Sequence, residues 1–197
     1  MTKTILALAL AFLMAACTSI AKVEGDQVVN GKLVVNVSDA WNKVTDPWEA
    51  GPYDMWTQEG IPLDHLRLWA GIRSGKALVA KPTVLFRAPG EKDARYPTFT
   101  AGLPPDKLVS LFEALYANEG VVNVTRVEPT VFAGAKGVRF EFTLARRADD
   151  VTLKGVGWVA VHKDELYAAM FAAPRLAFFE KLLPMAEAVV KTARIRG

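Results

Sequence analysis

The sequence predicts an α+β domain, built on a mostly antiparallel sheet with helices over both faces. Three observations carry this. Leu108, Leu111, Phe112, Leu115 and Tyr116 recur at three- and four-residue spacing, the stripe of an amphipathic helix. Val138, Phe140, Phe142 and Leu144 alternate with Arg139, Glu141 and Thr143, the period of a half-buried strand. The runs over 151–162 and 166–173 are apolar on both faces, with Val156, Trp158 and Ala160 against Gly157, Val159 and Val161. Strands of that kind are covered on both sides.

At the N-terminus Lys3 precedes an apolar run over 5–16, which leads through small residues to Cys17, the only cysteine of the 197 residues. A basic residue, a short apolar core and small residues before a break mark a secretory signal. The run is too short to span a hydrocarbon core about 30 Å thick, which takes about 20 residues. No later stretch approaches that length without charges or glycines, so a polytopic membrane protein is excluded.

Leu13-Met14-Ala15-Ala16-Cys17 resembles the lipobox of bacterial lipoproteins. Met14 stands where that family usually has Leu, with Leu13 one step earlier. The resemblance implies that residues 1–16 are removed and that Cys17 is acylated as the mature N-terminus. Thr18 occupies the position where the family's inner-membrane retention signal is an Asp. The resemblance therefore implies lipid attachment to the outer membrane of a Gram-negative cell, facing the periplasm. Ser19-Ile20-Ala21 also fits a small-x-small cleavage site. A cut after Ala21 would discard Cys17 and leave a soluble periplasmic protein.

Residues 17–26 read as an acylated terminus and a short polar spacer, and 27–197 as a single globular domain. That length buries a core without disulfides, and with Cys17 acylated no cysteine remains to form one. Asn30-Gly31 between β-branched runs predicts a hairpin, with a second strand over 32–37. Ser38 and Asp39 read as turn or cap formers ahead of Ala40. Residues 46–60 are irregular, punctuated by Pro47, Gly51, Pro52 and Gly60. A strand is expected within 63–72, with Leu66, Leu68 and Ala70 on one face, and a further extended segment over 77–86. Pro104-Pro105 opens the first helix. Gly134 to Gly137 reads as a hairpin turn. A second helix carries Leu176, Phe179, Leu182, Leu183, Ala186, Val189 and Val190, and Pro184 inside it should kink or divide it.

The order of elements resembles the PsbP/Mog1-like α/β/α sandwich, a family that includes small bacterial envelope lipoproteins. The residues that carry the likeness are Val37-Ser38-Asp39-Ala40-Trp41, Gly137-Val138-Arg139-Phe140-Glu141-Phe142, and Leu166-Tyr167 through Ala173-Pro174 before the terminal helix. The fold alone licenses no function.

No spacing in the domain identifies a reaction. Asp64 and His65 are neighbours in an expected strand and so point to opposite faces. Neither histidine stands in a metal-ligand spacing, and the serines lack a nucleophile elbow. We therefore assign no catalytic residue, no metal and no cofactor. The net charge of +3 and the short C-terminal cluster of Lys191, Arg194 and Arg196 do not argue for nucleic acid. The candidate ligand-binding residues are Trp48, Tyr53, Asp54, Trp56, Glu59 and His65, an aromatic-acidic stretch able to stack on a sugar or small ligand. Burial of the same aromatics against the sheet is the competing reading. The leading expectation is a non-catalytic lipoprotein that binds or supports an envelope partner. A small-ligand or glycan binder is the second, and a hydrolase of peptidoglycan or an ester, through Asp54, Glu59 and His65, the third.

Overall fold

A computed structural model describes residues 19–45, 51–79 and 96–196. Cys17, Trp48 and most of the extended segment expected over 77–86 lie outside them. Asn30 and Gly31 take φ of 46° and 69°, the positive φ that a tight hairpin turn needs at both central positions, and the Lys32 N–H donates to the Val29 carbonyl at 3.0 Å. The turn joins β1 (Ser19–Val29) to β2 (Leu33–Thr45). Both strands outrun the sequence pattern. Residues 19–26, expected as a spacer, belong to β1, with Ser19 opposite Thr45.

Ser38 and Asp39 lie inside β2 rather than ahead of a helix or turn. The register passes from Val23↔Trp41 to Gly25↔Val37, so three residues of β2 oppose one of β1. A bulge of this kind bends the strand and raises its twist. The bend is large. The far end of β2 pairs with β3 through Asn42, Lys43 and Val44, yet Lys32 ion-pairs with Glu165, 133 residues away. The hairpin thus folds back across the sheet, and Asn30 Nδ2 donates to the Ala70 carbonyl at 2.8 Å.

Strands β3 (Tyr53–Thr57) and β4 (His65–Arg73) complete a first meander. Helix α1 (Pro105–Tyr116) then leads to a second, β5 (Gly120–Phe132), β6 (Ala135–Arg146), β7 (Thr152–His162) and β8 (Glu165–Pro174). The sheet order is β1-β2-β3-β4-β8-β7-β6-β5, and a short β9 (Arg194–Ile195) pairs with β2. Every pairing among the described strands is antiparallel. The two meanders meet along β4 and β8, from His65↔Ala172 to Arg73↔Glu165.

Among the described residues each face carries one helix. Helix α1 buries Leu108, Val109, Phe112, Leu115 and Tyr116 against Trp69, Phe140, Phe142 and Met170. Gly155 and Gly157 of β7 make room there, since a Cβ on Gly155 would fall 2.2 Å from Phe142. Helix α2 (Phe179–Lys191) covers the other face, packing on Trp41, Trp56, Leu68, Trp158 and Phe171.

Pro184 does not divide α2. Proline in a helix interior costs about 3 kcal/mol, while each large apolar side chain fully buried contributes about 1.5–3 kcal/mol. Phe179, Leu182, Ala186, Val189 and Val190 are buried, and together they outweigh the proline, whose ring lies on the exposed side.

Candidate functional site

Three turns and the C-terminal segment converge on one end of the sheet. The Asn30-Gly31 turn delivers Lys32, the end of β4 delivers Arg73 and then Lys76, and the β7–β8 turn delivers Lys163. Arg196 donates its backbone N–H to the Lys32 carbonyl at 2.7 Å. Glu165, the first residue of β8, sits among them. Lys32 Nζ donates to both of its carboxylate oxygens, Tyr167 donates its hydroxyl at 3.2 Å, and Arg73 Nε donates at 3.4 Å.

Gly71 makes this arrangement possible. It has φ of +68°, and a Cβ there would fall 2.2 Å from Lys32 Cδ. Two clefts flank the Lys32–Glu165 pair. One, of about 650 Å³, is lined by Asn30, Lys32, Gly71, Arg73 and Lys76. The other, of about 340 Å³, is lined by Lys32, His162, Lys163, Tyr167 and Arg196.

Cations outnumber carboxylates at this end, where Lys32, Arg73, Lys76, Lys163 and Arg196 stand with Asp164 and Glu165. The hydrogen bond from Lys32 holds the Glu165 carboxyl below its usual range, against the opposing effect of burial. Burial, and then the charge of Glu165, push the Tyr167 phenol up to about 12. The carboxylate therefore stays ionised and the phenol protonated at neutral pH, both engaged with each other.

The residues singled out from sequence do not gather into one place. Alternation along β3 sends Tyr53 to the α1 face, where it packs on Trp69 with ring centroids 5.0 Å apart. Trp56 points to the α2 face, is fully buried and leaves its indole N–H without an acceptor. Asp54 pairs with Lys43 at 2.7 Å, and Glu59 with Lys181 of α2 at 2.7 Å. Trp48 lies outside the described residues.

His65 is buried on the α1 face, where its Nε2 and the Tyr116 hydroxyl share a hydrogen bond of 3.1 Å. Burial holds its imidazole well below the usual value, and the charges of Arg67 and Arg146 act in the same direction. Burial likewise raises the Tyr116 phenol. Arg67 lies over the rings of Tyr53 and Tyr116 and donates to Glu119 at 2.9 Å. Asp64 faces away from this group and ties the β3–β4 connection. It accepts from Thr57 Oγ1 and from the backbone of Gln58 and Glu59, each at 2.8 Å. Among the described residues no three His, Cys, Asp or Glu side chains form a group able to hold a metal ion.

Lys32, Arg73, Lys76, Lys163 and Arg196 were not sequence candidates. Each lies at or beside a turn or the chain end, and that much is visible in Asn30-Gly31, Arg73-Ser74-Gly75 and Lys163-Asp164. Their convergence depends on strand order and on the bend of β2.

No family model matches the chain, and no curated protein does. Solved structures match along nearly its whole length. PsbP of the cyanobacterium Synechocystis sp. PCC 6803 has a TM-score of 0.53 at 11% identity, covering 93% of this chain and 96% of that one. The Ran-binding protein Mog1p of Saccharomyces cerevisiae has 0.43 at 6%, covering 91% and 96%. LpqN of Mycobacterium tuberculosis, described as involved in cell envelope biogenesis, has 0.36 at 8%, covering 93% and 88%. With PsbP the likeness lies in the backbone. The chain has the PsbP/Mog1-like fold, with an antiparallel sheet of nine strands and two helices among the described residues.

Proposed function

We propose that this chain is an outer-membrane lipoprotein, held by lipid on Cys17 and facing the periplasm, that binds or supports an envelope partner without catalysis. The observation that carries the anchor is the start of β1. Ser19, Ile20 and Ala21 pair with Thr45, Val44 and Lys43. A cut after Ala21 would strip these three residues from the edge of the sheet, whereas acylation at Cys17 leaves β1 whole. Each buried CH₂ of an acyl chain contributes about 0.8 kcal/mol, so several chains on one cysteine make a stable anchor.

The non-catalytic reading is supported by how the polar candidates are used. Asp54, Glu59 and His65 are each engaged by a partner within the fold, and they are divided between two faces of a sheet. A hydrolase needs its two working groups around one substrate.

The test is fractionation of cells carrying wild type or Cys17→Ser, with metabolic labelling by palmitate. Wild type is expected in the outer-membrane fraction with label, and Cys17→Ser in the soluble periplasmic fraction. A mature N-terminus at Lys22, or membrane retention of Cys17→Ser, would overturn the anchor. Cross-linking in intact cells followed by mass spectrometry identifies the partner. Turnover by the purified protein, abolished by one side-chain change, would overturn the non-catalytic reading.

A further inference from the structure

We propose that a groove between β9 and the β5–β6 hairpin receives an extended, acidic segment of a partner protein, which adds to β9 as a strand. This names a surface and a segment chemistry for the partner-binding role proposed above, on which it rests.

The groove lies on the face that α2 covers. A further cleft, of about 430 Å³, is bounded by Thr130, Ala133, Gly134, Trp158, Val190 and Ala193. It shares Ala133 and Gly134 with the cleft of about 340 Å³ beside Lys32, which Ile195 also lines. The floors join as well. Trp158 is two residues along β7 from Ala160, and Ala160 pairs with Tyr167. One trough therefore runs from the end of α2, along β9, to the β7–β8 turn, with the β5–β6 turn as its other wall.

The wall on the β9 side offers backbone groups. The Arg196 N–H donates to the Lys32 carbonyl, and Ile195 stands opposite Leu33. In an antiparallel ladder successive residues turn their N–H and C=O to alternate sides. Those of Ile195 therefore point away from β2, on the side of the groove. A strand edge of that kind accepts an extended peptide by backbone pairing, while alternate side chains enter the pockets below it. β9 is only two residues long, so the side chains must supply much of the recognition.

Those side chains set the chemistry. Trp158 and Tyr167 give an apolar floor, and Val190 and Ala193 an apolar wall. Lys163, Lys191 and Arg196 line the trough, are exposed, and have no Asp or Glu partner among the described residues. The carboxylates that line it are already engaged, Glu165 by Lys32 and Arg73 and Glu187 by Arg139. Arg147 and Arg175 are exposed too, but they line neither cleft. An extended segment that alternates apolar and acidic residues matches both features. Its apolar side chains fall on one side, toward the floor, and its carboxylates on the other, toward the cationic rim.

The probe is a short fluorescent peptide of alternating valine and glutamate, added to the purified full-length chain and followed by anisotropy. It is expected to bind saturably and to weaken at high salt, and a valine–lysine peptide is expected not to bind. Combining Lys163→Gln, Lys191→Gln and Arg196→Gln should weaken binding by up to about fivefold per charge removed, at an unchanged melting temperature. Lys107→Gln, on α1 and the opposite face, should bind as wild type does. Methylating the peptide amides of the valines alone, or of the glutamates alone, should weaken binding far more in one case than in the other, because a strand pairs along one edge. Equal effects of the two methylations, equal binding of the lysine peptide, indifference to the triple substitution, or no binding would each overturn the groove. Self-association of the chain that the same substitutions abolish would make a second copy the occupant and overturn the acidic segment. Cross-links to a partner in intact cells that fall on the α1 face would overturn the groove and keep the partner-binding role. Cleavage of the peptide by the protein would overturn the non-catalytic role itself.

Discussion

Trp56 marks how an attractive side chain at a surface-looking stretch can belong to the core. The sequence offers it beside Tyr53 among acidic residues, in a segment that Gly51 and Pro52 make look irregular. Once residues 53–57 form a strand, positions three apart must face opposite ways, and the two rings are separated by the sheet. The side-chain chemistry was legible, but the strand that sorts it was not. Trp56→Ala should cost about 3–5 kcal/mol, the range for truncating a fully buried large aromatic, and thermal or denaturant unfolding measures it. A ligand-stacking tryptophan on the surface would lose far less. His65 gives a second prediction at this scale. The unfolded chain takes up its imidazole proton near pH 6.5, whereas the folded chain holds that pKa well below. Below about pH 6.5 the unfolded state therefore binds more protons, and stability falls as pH falls toward the folded value. Melting temperature should decline between about pH 7 and pH 5, and His65→Gln should flatten that part of the curve.

Among the elements, the sequence pattern located both described helices and β4, β6, β7 and β8, because at least one face of each is consistently apolar. The failures have local causes. Ser38 and Asp39 carry the chemistry of a turn, and the chain does deviate there, but as a bulge within β2 that redirects the hairpin. The polar look of residues 19–26 follows from the edge position of β1, whose side chains are mostly exposed while its backbone is paired. Pro184 was a correct local signal overridden by tertiary packing. Because it sits on the exposed side of α2, Pro184→Ala restores a helix hydrogen bond without disturbing the core. It should raise stability by about 1–3 kcal/mol, read from the shift of the denaturation midpoint. An unchanged or lowered midpoint would show that the proline is accommodated without strain.

For the molecule as a whole, the α/β/α class was readable from the doubly apolar β7 and β8, which demand cover on both faces. The cationic end was not, since its residues come from sequence positions 32 to 196 and meet only through topology. That topology has a kinetic consequence. The seam between β4 and β8 joins residues 65–73 to residues 165–172, so its closure carries the loop entropy of about half the chain. Contacts of such long range slow folding toward the millisecond-to-second regime. Neither meander can be locked to the other until β8 has been synthesised, near the C-terminus. Exported as we propose, N-terminus first through a membrane channel, the chain would lack its central strand partner for most of its passage. Late closure suits a protein that must stay threadable until it reaches the compartment where it works.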